Sequence, residues 1–325
     1  MLKKDERTGA LNKDEFRMFM GKYGIGVILF IMLLILIVTV PSFRNPNNFV
    51  NIAKQVAING MIAYGMCLVI TTGGIDLSVG AQCTLAACIL GQLIMKMGMN
   101  VWLACILAVA VAAFFGFING ALIAGFNMFP FVVTLSTQLV IRGLAQVISD
   151  AKAISMTDPA FKSIYTGTVG PIPVPVLLLL IVTVIMYFLL HWTRLGRYIL
   201  ATGGNEKAAI ASGVSVFWTK VSAYTISGIL AGIAGIILTS KTSAAQSNLG
   251  VGYETDAVAA CVIGGTSFAG GVATVPGVLI GIFIIGCIYN GMNLIGVSSY
   301  YQTITKGVMI IAAVMFDMVM NKRNR

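Results

Sequence analysis

Long stretches without a single charge constrain this chain more than any other feature. Residues 27–40 and 177–190 carry no charged side chain, and 308–320 carry only Asp317. Such runs cannot cover a water-facing surface. A helix crossing a bilayer core needs roughly 17–25 mostly apolar residues, and the runs reach that length with their small and aromatic flanks. A closed β-barrel also satisfies its backbone in lipid. Its strands would alternate in polarity over about ten residues, and these runs do not alternate. Composition agrees: 58% of the 325 residues are hydrophobic and 10% charged, against roughly 25% charged in a soluble domain. The expectation is an all-α, polytopic integral membrane protein in the lipid bilayer.

Ten membrane segments are predicted: 23–40, 57–72, 81–97, 101–125, 131–148, 174–192, 221–239, 254–264, 272–292 and 304–320. The second and eighth are short for a full crossing. An even number places both termini on one side. Taking that side as cytoplasm gives it thirteen bases: six in residues 1–22, four in the loop 193–220 (Arg194, Arg197, Lys207, Lys220) and three in residues 321–325. The other side and its boundary receive seven, with Arg142 left inside a span. That imbalance follows the positive-inside rule. It also explains the net charge of +10 without invoking nucleic acid. Residues 1–22 mix acids and bases ahead of a long apolar run, the pattern of a retained anchor rather than a cleaved leader. The expected organisation is a cytoplasmic tail (1–22), a membrane domain (23–320) containing the cytoplasmic loop 193–220, and a short cytoplasmic tail (321–325).

Two glycine-bounded breaks interrupt the apolar pattern, at 73–80 and 264–271. Each follows a short apolar segment, Val69-Ile70-Thr71-Thr72 in one case and Val262-Ile263 in the other. The similarity suggests an internal pseudo-repeat, a common way to build transport proteins. The first break holds Asp76 and Ser78. A carboxylate there is costly unless it is paired, caps a helix or faces water. One reading makes Asp76 or Ser78 the cap of the next helix. The other puts the break on a translocation path, since irregular backbone is tolerated in a membrane where it lines a cavity. The two readings are compatible. The second break offers Thr266 and Ser267, with Glu254 and Asp256 upstream; capping at a helix start is again one reading, and sugar binding through these hydroxyls and carboxylates is the other, though no spacing demands it.

The loop 194–220 is far longer than a simple helix–helix connection needs. Asn205 is a cap residue, Glu206 suits a first helical turn, and Gly213 suits a helix end. A helix of about two turns is predicted there. Alone in water so short a helix is marginal, so it gains stability by docking on something. A cytoplasmic partner is the expectation, against the plainer reading of a solvated hairpin.

Several chemistries are absent. The chain has no GxxxxGK[ST] loop to cradle ATP phosphates and no HExxH pair, and no GxSxG elbow. Its one histidine, His191, stands beside Trp192 near a helix end. The six cysteines form no CxxC pair, which argues for packing rather than zinc. Neither an enzyme, a metal site nor a cofactor is expected.

At this point the motifs resemble a known family. Gly-Gly-Ile-Asp-Leu-Ser-Val-Gly at 73–80 is similar to a motif of ribose-type ABC transporter permeases, membrane subunits of bacterial importers for monosaccharides. Thr193-Arg194-Leu195-Gly196-Arg197-Tyr198 followed by Gly203-Gly204-Asn205-Glu206 resembles the family's cytoplasmic loop. Tyr253-Glu254, Asp256 through Ala260, Gly264-Gly265-Thr266-Ser267 and Gly270-Gly271 resemble its later signature. Gly296-Val297-Ser298-Ser299-Tyr300-Tyr301-Gln302 is especially similar to ribose permeases. The resemblance runs from about residue 25 to the end. It implies a pore of two permease copies, a homodimer, in a bacterial inner membrane. It also implies a separate cytoplasmic ATP-binding subunit and an extracytoplasmic sugar-binding protein. Asp76, Ser78, Thr266 and Ser267 would lie on the substrate path. Gly203, Gly204, Asn205, Glu206, Ala209 and Gly213 would form the element that couples to the ATPase. The rival from the residues alone is an ion-coupled secondary transporter of a small polar solute. Only Asp76 is a buried carboxylate within a broken segment, where such a transporter often keeps several.

Overall fold

The computed structural model describes residues 13–322, so most of both expected tails lies outside the described residues. The chain opens with α1 (Lys13–Thr39), a 3₁₀ turn and α2 (Pro46–Thr71), then α3 (Val79–Leu90), which runs on as one π-helical stretch (Gly91–Lys96). There follow α4 (Val101–Gly125), α5 (Pro130–Ser149), β1 (Ile154–Ser155), α6 (Pro159–Thr166), β2 (Thr168–Val169), β3 (Ile172–Pro173) and α7 (Val174–Trp192). The second half holds α8 (Arg194–Gly204), α9 (Glu206–Ala211), α10 (Val216–Thr242), β4 (Ala244–Ala245), α11 (Tyr253–Ile263), α12 (Val275–Leu294) and α13 (Ser299–Lys322).

The all-α membrane architecture holds. Seven of the described helices are long and apolar enough to cross a membrane: α2, α3 with its π extension, α4, α5, α7, α10 and α12. The apolar part of α1 is Gly24–Thr39, and α11 has only 11 residues. A helix of that length spans about 16 Å, too little for a hydrocarbon core of about 30 Å. The eighth expected segment is therefore short, as its sequence suggests.

The second segment is not short. It begins at Pro46 rather than 57, and α2 has 26 residues. Asn45 Oδ1 accepts the amide of Asn47 at 2.9 Å, and Pro46 takes the first helical position, where its missing N–H costs nothing. Polar residues in the first turns (Asn47, Asn48, Asn51, Lys54) hide this stretch from a hydropathy reading. Asn48 is buried there and exchanges two amide hydrogen bonds with Asn290 of α12, at 2.9 and 2.8 Å.

α2 and α10 form the centre of the bundle and are mostly buried, whereas α5 and α7 turn apolar side chains such as Leu139, Val140, Val184 and Phe188 outward. The two central helices cross antiparallel, with Gly65 against Ser227 and Val69 packed near Tyr224. Each is followed by a break and a short helix that runs back. α3 lies beside α10 in the same direction, with Asp76 near Ser227 and Cys83 near Gly235. α11 lies beside α2 in the same direction. Cys261 Sγ bonds to Ala63 O at 3.1 Å, Thr266 meets Cys67 at 3.5 Å, and Gly271 N donates to Thr71 O at 2.9 Å. The first turns of the two short helices meet where Gly80 abuts Gly250 and Glu254.

The pair α2–α3 is thus repeated as α10–α11 with inverted direction. The pseudo-repeat expected between 73–80 and 264–271 has to be redrawn. The equivalent units are a long helix, a break and a short helix, an inverted repeat of the kind transporters use. The break at 264–271 follows its short helix rather than preceding it.

Burying one amide of the Asn48–Asn290 pair without the other leaves a polar group unsatisfied. Asn290→Leu alone is expected to destabilise the protein by about 1 kcal/mol, and the double replacement Asn48→Leu, Asn290→Leu to recover most of that. Thermal unfolding of the detergent-solubilised chain checks the order.

Candidate functional site: the two breaks and the loop between α7 and α10

α2 stops because Gly73 takes a left-handed conformation (φ +81°). That lets Gly73 N and Gly74 N turn back to Ile70 O and Val69 O at 2.9 and 3.1 Å, satisfying carbonyls that the helix end frees. The chain then rises to Asp76. Its Oδ1 accepts the Ser78 amide at 3.0 Å and the Ser78 hydroxyl at 2.6 Å. Its Oδ2 accepts Ser227 Oγ at 3.4 Å. Ser78 Oγ in turn accepts Gln82 Nε2 and Asn119 Nδ2, each at 2.8 Å. All five side chains are completely buried. They tie the start of α3 to α4 and α10.

Both sequence readings of this break gain detail. Asp76 does cap, but through the amide of Ser78 ahead of α3, while Ser78 makes no side-chain cap of its own. Asp76 also faces a polar cluster inside the bundle. Gln82 Oε1 and Asn119 Oδ1 have no partner there. Gln82, Asn119 and Ser227 were not singled out in the sequence. Nothing local marks them, since their importance comes from meeting Ser78 and Asp76 across α3, α4 and α10.

Thr266 and Ser267 lie elsewhere. Thr266 is fully buried against Cys67 of α2, and its amide bonds to Cys261 O at 2.9 Å. Ser267 N donates to Val272 O at 3.1 Å, and Ser267 Oγ accepts Ala269 N at 3.3 Å, closing a tight turn. The four path candidates are thus brought into two separate places, on opposite flanks of α2.

The loop between α7 and α10 holds two helices. α8 is the one the sequence did not reveal; Thr193 Oγ1 caps it by accepting Gly196 N at 3.1 Å. α9 is the predicted short helix. Asn205 Oδ1 accepts Ala208 N at 3.0 Å. Gly213 (φ +80°) ends it, with Gly213 N on Ile210 O and Val214 N on Ala209 O at 2.9 and 3.0 Å. Ala209 is buried toward the bundle, and Lys207, Ala208, Ile210 and Ala211 face outward. Glu206 Oε2 pairs with Lys220 Nζ of α10 at 2.8 Å, a partner that spacing did not suggest. A cavity of about 390 Å³ opens beside this loop, bounded by Gly73 and Gly74, Gly203 to Glu206, Tyr224 and the α4–α5 loop at Phe129. It brings the first break and the coupling candidates together.

An ion pair inside the bundle escaped the sequence reading. Asp256 of α11 meets Lys306 Nζ at 2.8 Å and accepts Tyr289 OH at 3.0 Å. Lys306 also donates to Gly252 O at 3.0 Å. The pair staples α13 to the start of α11. It was missed because 50 residues separate Asp256 from Lys306, and because Lys306 sits at the edge of an apolar run.

The polar cluster at Asp76 makes a prediction. Asp76→Asn keeps one carbonyl acceptor for Ser78, and Ser227 can turn its hydroxyl to accept. Asp76→Ala removes both acceptors and leaves buried donors stranded, at a cost of about 1–3 kcal/mol. The expected stability order is native, then Asn, then Ala, read by thermal unfolding in detergent. Equal stability of the native chain and Asp76→Ala would contradict the clamp.

Residues 48–314 match the family described as Branched-chain amino acid transport system / permease component. The chain is 44% identical over 318 residues to the ribose import permease protein of Bacillus subtilis (strain 168), covering 97% of this chain and 98% of that one. It is 42% identical over 295 residues to the ribose import permease protein of Escherichia coli (strain K12), covering 88% and 92%. It is 36% identical over 334 residues to the galactose/methyl galactoside import permease protein of Escherichia coli (strain K12), covering 97% and 99%. No solved structure matches the chain.

Proposed function

The chain belongs to this permease family, and from that premise we propose that it is the membrane-spanning subunit of an ATP-driven importer of a monosaccharide, with ribose the favoured cargo. The near end-to-end match to ribose import permeases carries this reading. It also bears out the resemblance drawn from the motifs. Hydrolysis would take place on a separate ATP-binding subunit, in keeping with the missing phosphate loop. A sugar-binding protein would deliver the cargo, and a second copy of this chain would complete the pore.

The charge imbalance supports an inner-membrane topology with both termini in the cytoplasm. Ten membrane-embedded segments fit it: α1 to α5, α7 and α10 to α13, with α11 a half-crossing. In that topology α8 and α9 are cytoplasmic, and the ends of α10 and α5 that lead to β4 and β1 are exterior.

α9 is the element that docks on the ATP-binding subunit. It is capped at both ends, held to α10 by Glu206–Lys220, and seated on Ala209. Its outer face is left free, and Ile210 there is 57% exposed. An apolar side chain so placed gains nothing from water and gains much in an interface. Gly204 adds to this surface, since nothing lies within 4 Å of where its side chain would be. Import then follows from a two-state equilibrium, which ATP shifts by binding the two states with different affinity.

Two measurements test the reading. Uptake of labelled ribose into vesicles carrying the whole complex should require ATP and survive collapse of proton and sodium gradients. Uptake that follows an ion gradient without ATP would establish the secondary-transporter alternative. Ile210 belongs to no core cluster of the described residues, so in Ile210→Asp the chain should stay folded and lose co-purification with the ATP-binding subunit. Retained association and retained sugar-stimulated hydrolysis would remove α9 from the docking role.

A further inference from the structure

Three glycine turns, distant in sequence, meet backbone to backbone at the α9 end of the bundle. The first is the end of α2 at Thr71 to Gly73. The second is the last turn of α8 at Gly203 and Gly204. The third is the turn after α11 at Gly270 and Gly271. Thr71 O, a carbonyl freed by the end of α2, accepts Gly271 N at 2.9 Å. A β-carbon on Gly203 would collide with that same Thr71 O and lie 2.5 Å from Gly271 N. One on Gly270 would lie 2.9 Å from Gly203 O and 3.1 Å from Gly73 N, and one on Gly271 would lie 2.7 Å from Gly204 Cα. Gly270 and Gly271 also have positive φ, +87° and +76°. No side chain separates the three strands of backbone.

The consequence is mechanical. Side chains between two elements absorb a small displacement by changing rotamer. Backbone in direct contact has no such freedom, because packed protein is nearly incompressible. Only Asn205 lies between Gly204 and the start of α9. A push on α9 is therefore passed by backbone contact to the end of α2 and the turn after α11. α2 and α11 are also locked in register by the contacts at Ala63–Cys261, Cys67–Thr266 and Thr71–Gly271, so they respond as a pair. The far end of α11 rests on the first turn of α3 at Gly80.

We propose that Gly203, Thr71 and Gly271 form the joint through which displacement of α9 moves the α2–α11 pair. The glycines are positioning residues: they touch neither sugar nor nucleotide, and they act by holding backbones together. The proposal rests on α9 being the docking element.

The test is Gly203→Ala in the full complex, with Gly143→Ala as a control, since Gly143 of α5 has open space where its side chain would be. The joint predicts that Gly203→Ala, whose β-carbon must push Thr71 O and Gly271 N away, weakens stimulation by the sugar-loaded binding protein far more than it weakens association with the ATP-binding subunit or basal hydrolysis. Stimulation of hydrolysis by the sugar-loaded binding protein, and sugar uptake, fall about tenfold or more, the size of an ordinary coupling energy between sites. A merely structural contact would lower stability and all activities together. Stimulated uptake at the native level in Gly203→Ala overturns the joint, and so does an equal loss in Gly143→Ala. Should Gly203→Ala fail to accumulate, hydrogen exchange on the native complex decides. The Gly271 amide stays equally protected in nucleotide-free and ATP-trapped states if the joint moves as a unit. Protection lost in one state shows that α2 and the turn separate, and overturns it. Ile210→Asp keeps the two readings apart. If that variant still binds the ATP-binding subunit, the docking reading fails. If binding is lost while Gly203→Ala transports normally, the joint alone fails.

Discussion

Inside hydrocarbon a backbone amide or carbonyl has no water to turn to, so a helix can break only where protein receives the groups it frees. Both breaks in this bundle answer to that constraint. α3 starts inside the bundle because Asp76 takes the amide and hydroxyl of Ser78, and because Ser227, Gln82 and Asn119 surround the exchange. The turn after α11 persists because its amide at Gly271 finds the free carbonyl of Thr71 at the end of α2. The first break is held by Gln82 and Asn119 of its own half and Ser227 of the other, the second by Thr71 of the other half.

The same constraint explains why glycine is concentrated where helices meet. α10 approaches α4 closely enough that β-carbons on Gly228 or Gly116 would meet the partner's backbone. Lipid offers apolar side chains no incentive to associate, so close backbone packing and polar bonds hold membrane helices together. α10 uses both, through Ser227 to Asp76 and Ser240 to Phe161 O at 2.9 Å. The C-terminal end of α10 is held by β4, which pairs with β1 as Ile154↔Ala245 and Ser155↔Ala244. The segment around α6 is thus fixed to the helix that leads into α11. The opposite end of α11 is fixed to α8 by the glycine contacts.

Much of this was legible in the residues. Charge-free runs announced the membrane, and several segments, including 101–125 and 174–192, have the helix limits expected of them. Asn205, Glu206 and Gly213 announced α9, because caps and helix ends are chosen by neighbours two to four residues away. The 73–80 break was visible for the same reason. The full length of α2 was not visible, because its first turns are polar and find their partners on α12. α8 was hidden in a loop whose composition is mixed.

The order of residues is enough to put the chain in a bilayer, to mark its breaks at 73–80 and 264–271, and to mark a capped helix in the longest basic loop. These are consequences of hydropathy and of short-range hydrogen bonding, which act within a few residues. Tertiary structure alone decided who meets at the breaks. Asp76 joins Asn119 and Ser227 rather than Thr266, Lys306 finds Asp256, and Gly203 lies against Thr71 and Gly271. Those meetings join residues far apart along the chain, and only the packing of whole helices, at distances set by glycine and by paired polar groups, could bring them together.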